Sequence, residues 1–190
     1  MSDVHDAAPP SAWLVSHRNV LPASGRALDV ACGRGRNARW LARQGFETTA
    51  VDRNPEAVAA LAADARAEGL AVTGVVMDLE AAGLDFGGET YDVVVVVHYL
   101  HRALFPALLA ALTPGGVLVY ETFTTAQAAR GRPTNPAFLL QPGELLRRVQ
   151  GLAILDSREG DFEGRMVSSV VAVRPADRDA PGALSPPHRR

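Results

Sequence analysis

Apolar and polar positions along this chain follow two alternating rhythms. Short segments rich in apolar and β-branched residues occur at Ala27–Ala31, Phe46–Val51, Leu70–Val76, Val93–Val97 and Val117–Phe123, the fourth being five consecutive valines. Segments of that length bounded by turn residues predict strands, and the five valines predict one covered on both faces. Between them, apolar residues recur at helical spacing. Arg36–Gln44 carries Ala38, Trp40 and Leu41 and closes at Gly45. Asn54-Pro55-Glu56 opens the next helix with a cap residue, Pro at the first helical position and an acid. Val58, Leu61, Ala62 and Ala65 follow on one face, and Gly69 ends it. Further helices are expected around Leu104–Leu112 and over Pro142–Val149, with a short one over Ser11–His17. Thr113-Pro114-Gly115-Gly116 reads as a turn, and Thr124–Leu140 as a long connection. Leu152–Ser157 and Met166–Arg174, joined by the polar stretch Arg158–Arg165, predict a closing antiparallel pair.

Strands alternating with helices predict an α/β fold. The expectation is a Rossmann-like doubly wound sheet of seven strands, mostly parallel with an antiparallel last strand. One domain over 11–174 is expected, with a loose N-terminus at 1–10 and a disordered, Pro-, Asp- and Arg-rich tail at 175–190.

Composition narrows the partners. The formal net charge is −2, so no global basic field draws in nucleic acid or an anionic membrane. All 19 basic residues are Arg. No apolar run is long enough to span a bilayer. The single Cys32 cannot form an intramolecular disulfide and fits a reducing compartment, so a cytoplasmic location is expected.

The candidate chemistry sits at the strand ends, where ligands bind in open parallel sheets. Ala27-Leu28-Asp29-Val30-Ala31-Cys32-Gly33-Arg34-Gly35-Arg36-Asn37-Ala38 reads as a buried strand, a glycine turn and a helix start. Gly33 and Gly35 let the backbone turn tightly and approach a ligand. Acids fall near the ends of the first three strands: Asp29, Asp52 and Asp78. Asp52, seventeen residues beyond Gly35, is placed to accept both hydroxyls of a ribose. Asp78 is placed to accept from an adenine amino group, with Met77 and Leu79 on the ring faces. Asp29, four residues before Gly33, would repel a pyrophosphate lying over the turn. It suits S-adenosylmethionine, which carries a sulfonium and an ammonium and no phosphate.

Asp29-x-x-Cys32-Gly33-x-Gly35, Asp52, Met77-Asp78-Leu79 and Pro114-Gly115-Gly116 resemble the class I S-adenosylmethionine-dependent methyltransferases. The resemblance covers about Leu28–Arg174. The turn Gly33–Ala38 with Trp40-Leu41-Ala42 is most similar to the small-molecule branch, which includes tellurite-resistance and thiopurine-type enzymes. The resemblance implies Asp29, Ala31, Cys32, Gly33 and Gly35 around the methionine part of the cofactor. It implies Asp52 and Arg53 at the ribose, Asp78 and Leu79 at the adenine, and Val97 with His98 beneath the sulfonium.

His98 or His101, following the fourth strand, could serve as general base, and Arg102 could hold an anionic acceptor. His98 and His101 lack a third ligand at recognised spacing, so no metal site is expected. Cys32 reads as a small packed residue. Asn135-Pro136-Ala137-Phe138 lacks the second proline and the placement of the Asn-Pro-Pro-aromatic motif of base-methylating enzymes. Thr124–Leu140 is expected to close over the acceptor, with the segment Ser11–His17 beside it. The expected reaction is in-line methyl transfer to a small-molecule acceptor. The residues also leave open a non-catalytic cofactor-binding module, a macromolecule methyltransferase and a nicotinamide-dependent oxidoreductase.

Overall fold

The computed structural model describes residues 8–176. The expectations for 1–10 and 175–190 therefore lie almost wholly outside the described residues. Seven strands form one sheet: β1 (Gly25–Val30), β2 (Phe46–Asp52), β3 (Val72–Val76), β4 (Tyr91–Val97), β5 (Leu112–Phe123), β6 (Ala153–Phe162) and β7 (Arg165–Val173). Their order is β3-β2-β1-β4-β5-β7-β6. The first five run parallel, and β7 pairs antiparallel with both β5 and β6. The helices are α1 (Ala12–Ser16), α2 (Arg36–Arg43), α3 (Pro55–Ala67), α4 (Phe105–Ala110) and α5 (Glu144–Arg148).

The five valines of β4 show why the sheet must be covered twice. Val94 and Val96 join the cluster holding Leu28, Leu118 and Tyr120. Val93, Val95 and Val97 join the opposite one, holding Trp13, Leu41 and Phe46. Successive side chains of a strand point to opposite faces, so a run of valines needs a layer on each side. The order reverses at β1 and β4, which opens a crevice at their carboxyl ends.

Several boundaries differ from the sequence reading. The third parallel strand starts at Val72, not Leu70. Thr113–Gly116 is not a free turn but lies within β5. Leu112 pairs with Tyr91, the register shifts before Val93, and Gly115 N–H donates to Arg174 O at 2.8 Å. The helix before it therefore ends at Ala110. Arg158–Phe162 is strand rather than linker, because Glu163 and Gly164, at φ +54° and +75°, make a two-residue left-handed turn. The connection 124–140 carries two 3-10 turns, Thr125–Ala129 and Pro136–Phe138. Its ends are joined where Thr124 bridges Leu140. Among the described residues no helix is long and apolar enough to cross a membrane.

Candidate functional site

The turn after β1 sets the geometry. Ala31, Gly33 and Gly35 all adopt positive φ, at +56°, +53° and +74°. The carboxylate of Asp52 accepts from Gly33 N–H at 2.8 Å and from Asn54 N–H at 2.9 Å. The two glycines serve different ends. A Cβ on Gly35 would stand 2.2 Å from Leu61 Cδ1, so α3 requires that residue to be glycine. A Cβ on Gly33 would meet nothing within 4 Å, so only Gly33 leaves open room beside the turn.

Asp29 is turned away from the crevice. Its carboxylate is buried and accepts from Ala38 N–H at 2.9 Å. It satisfies a free amide in the first turn of α2, whose cap residue Gly35 has no side chain to do so. Burial pushes its carboxyl up to about 7, against the Ala38 hydrogen bond and the nearby Arg36 charge. The charge argument drawn from its position therefore gives way to a structural one: Asp29 holds the helix that carries the turn.

A cavity of about 750 Å³ opens over the strand tips. Its volume lies in the range of small-molecule and cofactor sites. One end is lined by Ala31, Asp52, Arg53, Asp78, Leu79 and Glu80. Asp52 contributes the atoms left over from its two backbone contacts, and a carboxylate has room for further donors. Asp78 is exposed, and its Oδ1 accepts from Glu80 N–H at 3.0 Å. Leu79 is buried. The other end is lined by His98, Tyr99, Leu100 and Phe123, roofed by residues 132–135 and Phe138. Burial raises the Tyr99 hydroxyl to about 12, so the group stays a neutral phenol.

Of the residues singled out from sequence, Ala31, Asp52, Arg53, Asp78, Leu79 and His98 thus meet in one cavity. Cys32 is packed with Ala38, Ala50 and Leu61, and burial drives its thiol far above the ordinary range. Met77 packs against the core and donates its N–H to Asp52 O at 2.9 Å. Val97 is buried beneath the sheet face. His101 is half-buried outside the cavity, just before a 3-10 turn at Arg102–Leu104.

His98 has the more constrained setting. It sits one residue past β4 at φ +59°, a strained conformation for a residue with a Cβ. Its ring stacks on Phe123 with centroids 4.7 Å apart. Arg36 Nη2 lies 3.4 Å from its Nδ1. Guanidinium can only donate, so Nδ1 accepts and the ring proton sits on Nε2. Burial, then the Arg36 charge, lowers the imidazole to about 4, so His98 is neutral at pH 7.

Arg102 is engaged elsewhere. It makes a two-pronged contact with Glu144, Nε to Oε1 at 2.8 Å and Nη2 to Oε2 at 2.9 Å. It also donates to Ala137 O and Leu139 O, both at 2.9 Å. The expected anion holder is instead a staple between the roof and α5. Leu139 and Leu140 are core residues, whereas Phe138 is exposed at the cavity wall. Arg130 pairs with Asp161 at 3.0 Å, and Arg132 lines the cavity. Ser11 and Ala12 line a separate cavity beyond His98. Pro133, Thr134 and Asn135 fall within the connection expected to close over the acceptor, whereas Phe123 was not singled out, because only long-range packing brings it to the strand tips. The aromatic next to Thr124 and the Asn-Pro pair at 135–136 were the available signals.

A family model described as a methyltransferase domain matches residues 27–116, which spans β1 to the start of β5. Hemagglutinin 1 of Eikenella corrodens is 34% identical over 120 residues, covering 60% of this chain and 38% of that protein. TehB of Haemophilus influenzae, named a probable S-adenosyl-L-methionine-dependent methyltransferase, is 31% identical over 112 residues, covering 57% of this chain and 36% of its own. The crystal structure of TehB matches with a TM-score of 0.70 at 19% identity, over 87% of this chain and 61% of that one. The ubiquinone biosynthesis O-methyltransferase of Xanthomonas axonopodis pv. citri is 32% identical over 113 residues, covering 57% and 47%. These sequence matches take in less than half of each relative's length. The chain thus carries a match to a methyltransferase domain over residues 27–116, is similar in sequence to TehB and to the ubiquinone O-methyltransferase, and shares the fold of TehB.

Proposed function

We propose that this chain transfers the methyl group of S-adenosylmethionine to a small-molecule acceptor held under the roof at 132–138. The observation that carries the proposal is the two-ended cavity. Acidic, hydrogen-bonding residues line the end over β1–β3, and aromatic and apolar residues line the end over β4 and β5. The polar end fits the donor. Asp52 would hold the ribose hydroxyls and Asp78 the adenine amino group, with Arg53 and Leu79 beside them. Ala31 and Gly33 would border the methionine part. Bound there, S-adenosylmethionine supplies an electrophilic methyl group on sulfur.

The chain's own residues align the acceptor and exclude water. Tyr99, Phe123 and Phe138 give the acceptor end flat apolar walls. Neutral His98, with its proton on Nε2, orients an acceptor as a hydrogen-bond donor and is a poor match for a general base at pH 7. The acceptor therefore arrives already nucleophilic, as a thiolate, a neutral amine or an acidic enol or phenol. The relatives named TehB and ubiquinone O-methyltransferase support a small acceptor.

The test is formation of S-adenosylhomocysteine over a panel of small thiols, amines and phenols. Turnover is expected with at least one class, and Phe138→Ala should raise the acceptor KM several-fold while leaving the donor KM little changed. Donor binding with no turnover on any small acceptor would contradict the proposal.

A further inference from the structure

A second cavity, of about 320 Å³, lies behind His98. Among the described residues His98 is the one that lines both cavities. No residue of β2 or β3 borders the second one; its walls come from the segment before α1, the start of α2, β5 and the β6–β7 hairpin. It lies on the acceptor half of the sheet, away from the tips of β2 and β3.

Three guanidinium groups converge there, from Arg36, Arg158 and Arg165. Arg158 is already neutralised. Its Nη2 donates to Glu121 Oε2 at 3.0 Å, and Ser169 Oγ donates to the same oxygen at 2.7 Å. Its guanidinium lies over the Phe162 and Trp13 rings, 4.0 and 4.5 Å from their centroids. Among the described residues Arg36 makes no ion pair; it donates to Pro9 O at 3.2 Å and to His98 Nδ1, and its charge also reaches the buried Asp29 carboxyl. Arg165 has no carboxylate partner among the described residues, and neither has Glu163 at the hairpin tip. Among the described residues, two guanidinium groups without an ion-pair partner stand against one such carboxylate, an excess of one positive charge in the cavity lining. The Arg36 and Arg165 charges are also felt by the His98 ring, which both hold toward its neutral form.

We infer that this second cavity is a carboxylate-anchoring subsite for the methyl acceptor, with Arg36 and Arg165 as the anion-binding groups. The inference rests on the methyl-transfer reading and names its substrate class: a small organic molecule carrying a carboxylate, its nucleophilic atom on the far side of His98. Guanidinium suits a carboxylate because its N–H groups match both oxygens. A single excess charge suits a monoanion better than a phosphate dianion. The ordered pair Arg158–Glu121 is a fixed polar wall that limits the size of the group.

The carboxylate in such a cavity has two sources, the acceptor or the methionine end of the donor, and one titration separates them. Full-length protein with ¹⁵N-labelled arginine is saturated with S-adenosylhomocysteine and titrated with benzoate, with benzamide as the uncharged control of the same shape. Benzoate is expected to shift the Arg36 and Arg165 Nε–H signals saturably, and to bind about tenfold tighter than benzamide. Arg165→Gln, at an exposed position, should cost benzoate about tenfold while S-adenosylhomocysteine affinity stays within about twofold. Equal binding of benzoate and benzamide, or no effect of Arg165→Gln, would overturn the inference. Displacement of benzoate by S-adenosylhomocysteine would also overturn it, by assigning the anchor to the donor. Failure of S-adenosylhomocysteine to bind would strike the methyl-transfer reading instead; the arginine signals still answer for the carboxylate site.

Discussion

The Asp52 carboxylate accepts the N–H of Gly33 at 2.8 Å, tying the tip of β2 to the turn after β1. The same side chain accepts from Asn54 N–H and so fixes the start of α3. One residue therefore shapes the floor of the cavity while keeping oxygen lone pairs free for a ligand. Asp52→Ala removes both functions. It is expected to weaken S-adenosylhomocysteine binding by about tenfold to a hundredfold, the loss of one or two charge-assisted hydrogen bonds. Calorimetric titration of both proteins checks this; unchanged affinity would remove Asp52 from the donor site.

The two glycines of the turn should respond differently to an added methyl group. Gly35→Ala combines a left-handed φ with a Cβ driven into Leu61 and should cost about 2 kcal/mol or more. Gly33→Ala meets open space and should cost about 1 kcal/mol, from backbone conformation alone. Adding Leu61→Ala should recover part of the first loss and none of the second. Denaturant unfolding of the four variants measures it.

Arg102 and Glu144 should control the roof. Arg102→Ala leaves Glu144 with Arg148 and Gln141 N–H but frees the carbonyls of Ala137 and Leu139. A loss of about 1–2 kcal/mol is expected, with faster amide exchange over 132–139. Arg102→Lys should not restore it, because an ammonium cannot reproduce the forked contact. The Arg102 hydrogen bonds hold the Glu144 carboxyl down to about 2. Its contribution to stability is therefore complete above about pH 4.5 and is lost as pH falls toward 2. Glu144→Gln should flatten that part of the acid-unfolding curve.

His98 should titrate far below an ordinary histidine. Its folded value near 4 lies below the unfolded one near 6.5, so the folded state binds fewer protons between those values. Its contribution to stability is present above pH 6.5 and lost as pH falls through that window. Ring-carbon NMR shifts should move near pH 4 in the native chain. In Arg36→Met, which removes a positive charge and a donor from Nδ1, they should move at higher pH. A native titration near 6.5 would show that His98 is free to act as a base.

Most of the architecture was legible, because a valine run, a capped helix start and a glycine turn each reflect a local physical preference. The strand tips carrying Asp52 and Asp78 followed from that register. The direction of a side chain did not. Asp29 reads as a third acid of the crevice, yet the pleat turns it beneath α2, where a helix capped by glycine lacks a side-chain acceptor. Arg102 reads as an anion holder, yet its partner Glu144 lies 42 residues away. Phe123 reaches the cavity through the same kind of distant packing, whereas the roof and Phe138 belong to the connection 124–140 whose length marked it in the sequence. The second cavity depends on a hairpin turn at Glu163-Gly164 that the polar stretch 158–165 disguises as a linker.

The most direct measurement of the central claim is a calorimetric titration of the native chain with S-adenosylhomocysteine, S-adenosylmethionine and NADH. Saturable one-to-one binding of both sulfur compounds in the micromolar range, with none of NADH, is the expected result. Binding of NADH with no affinity for either sulfur compound would contradict it.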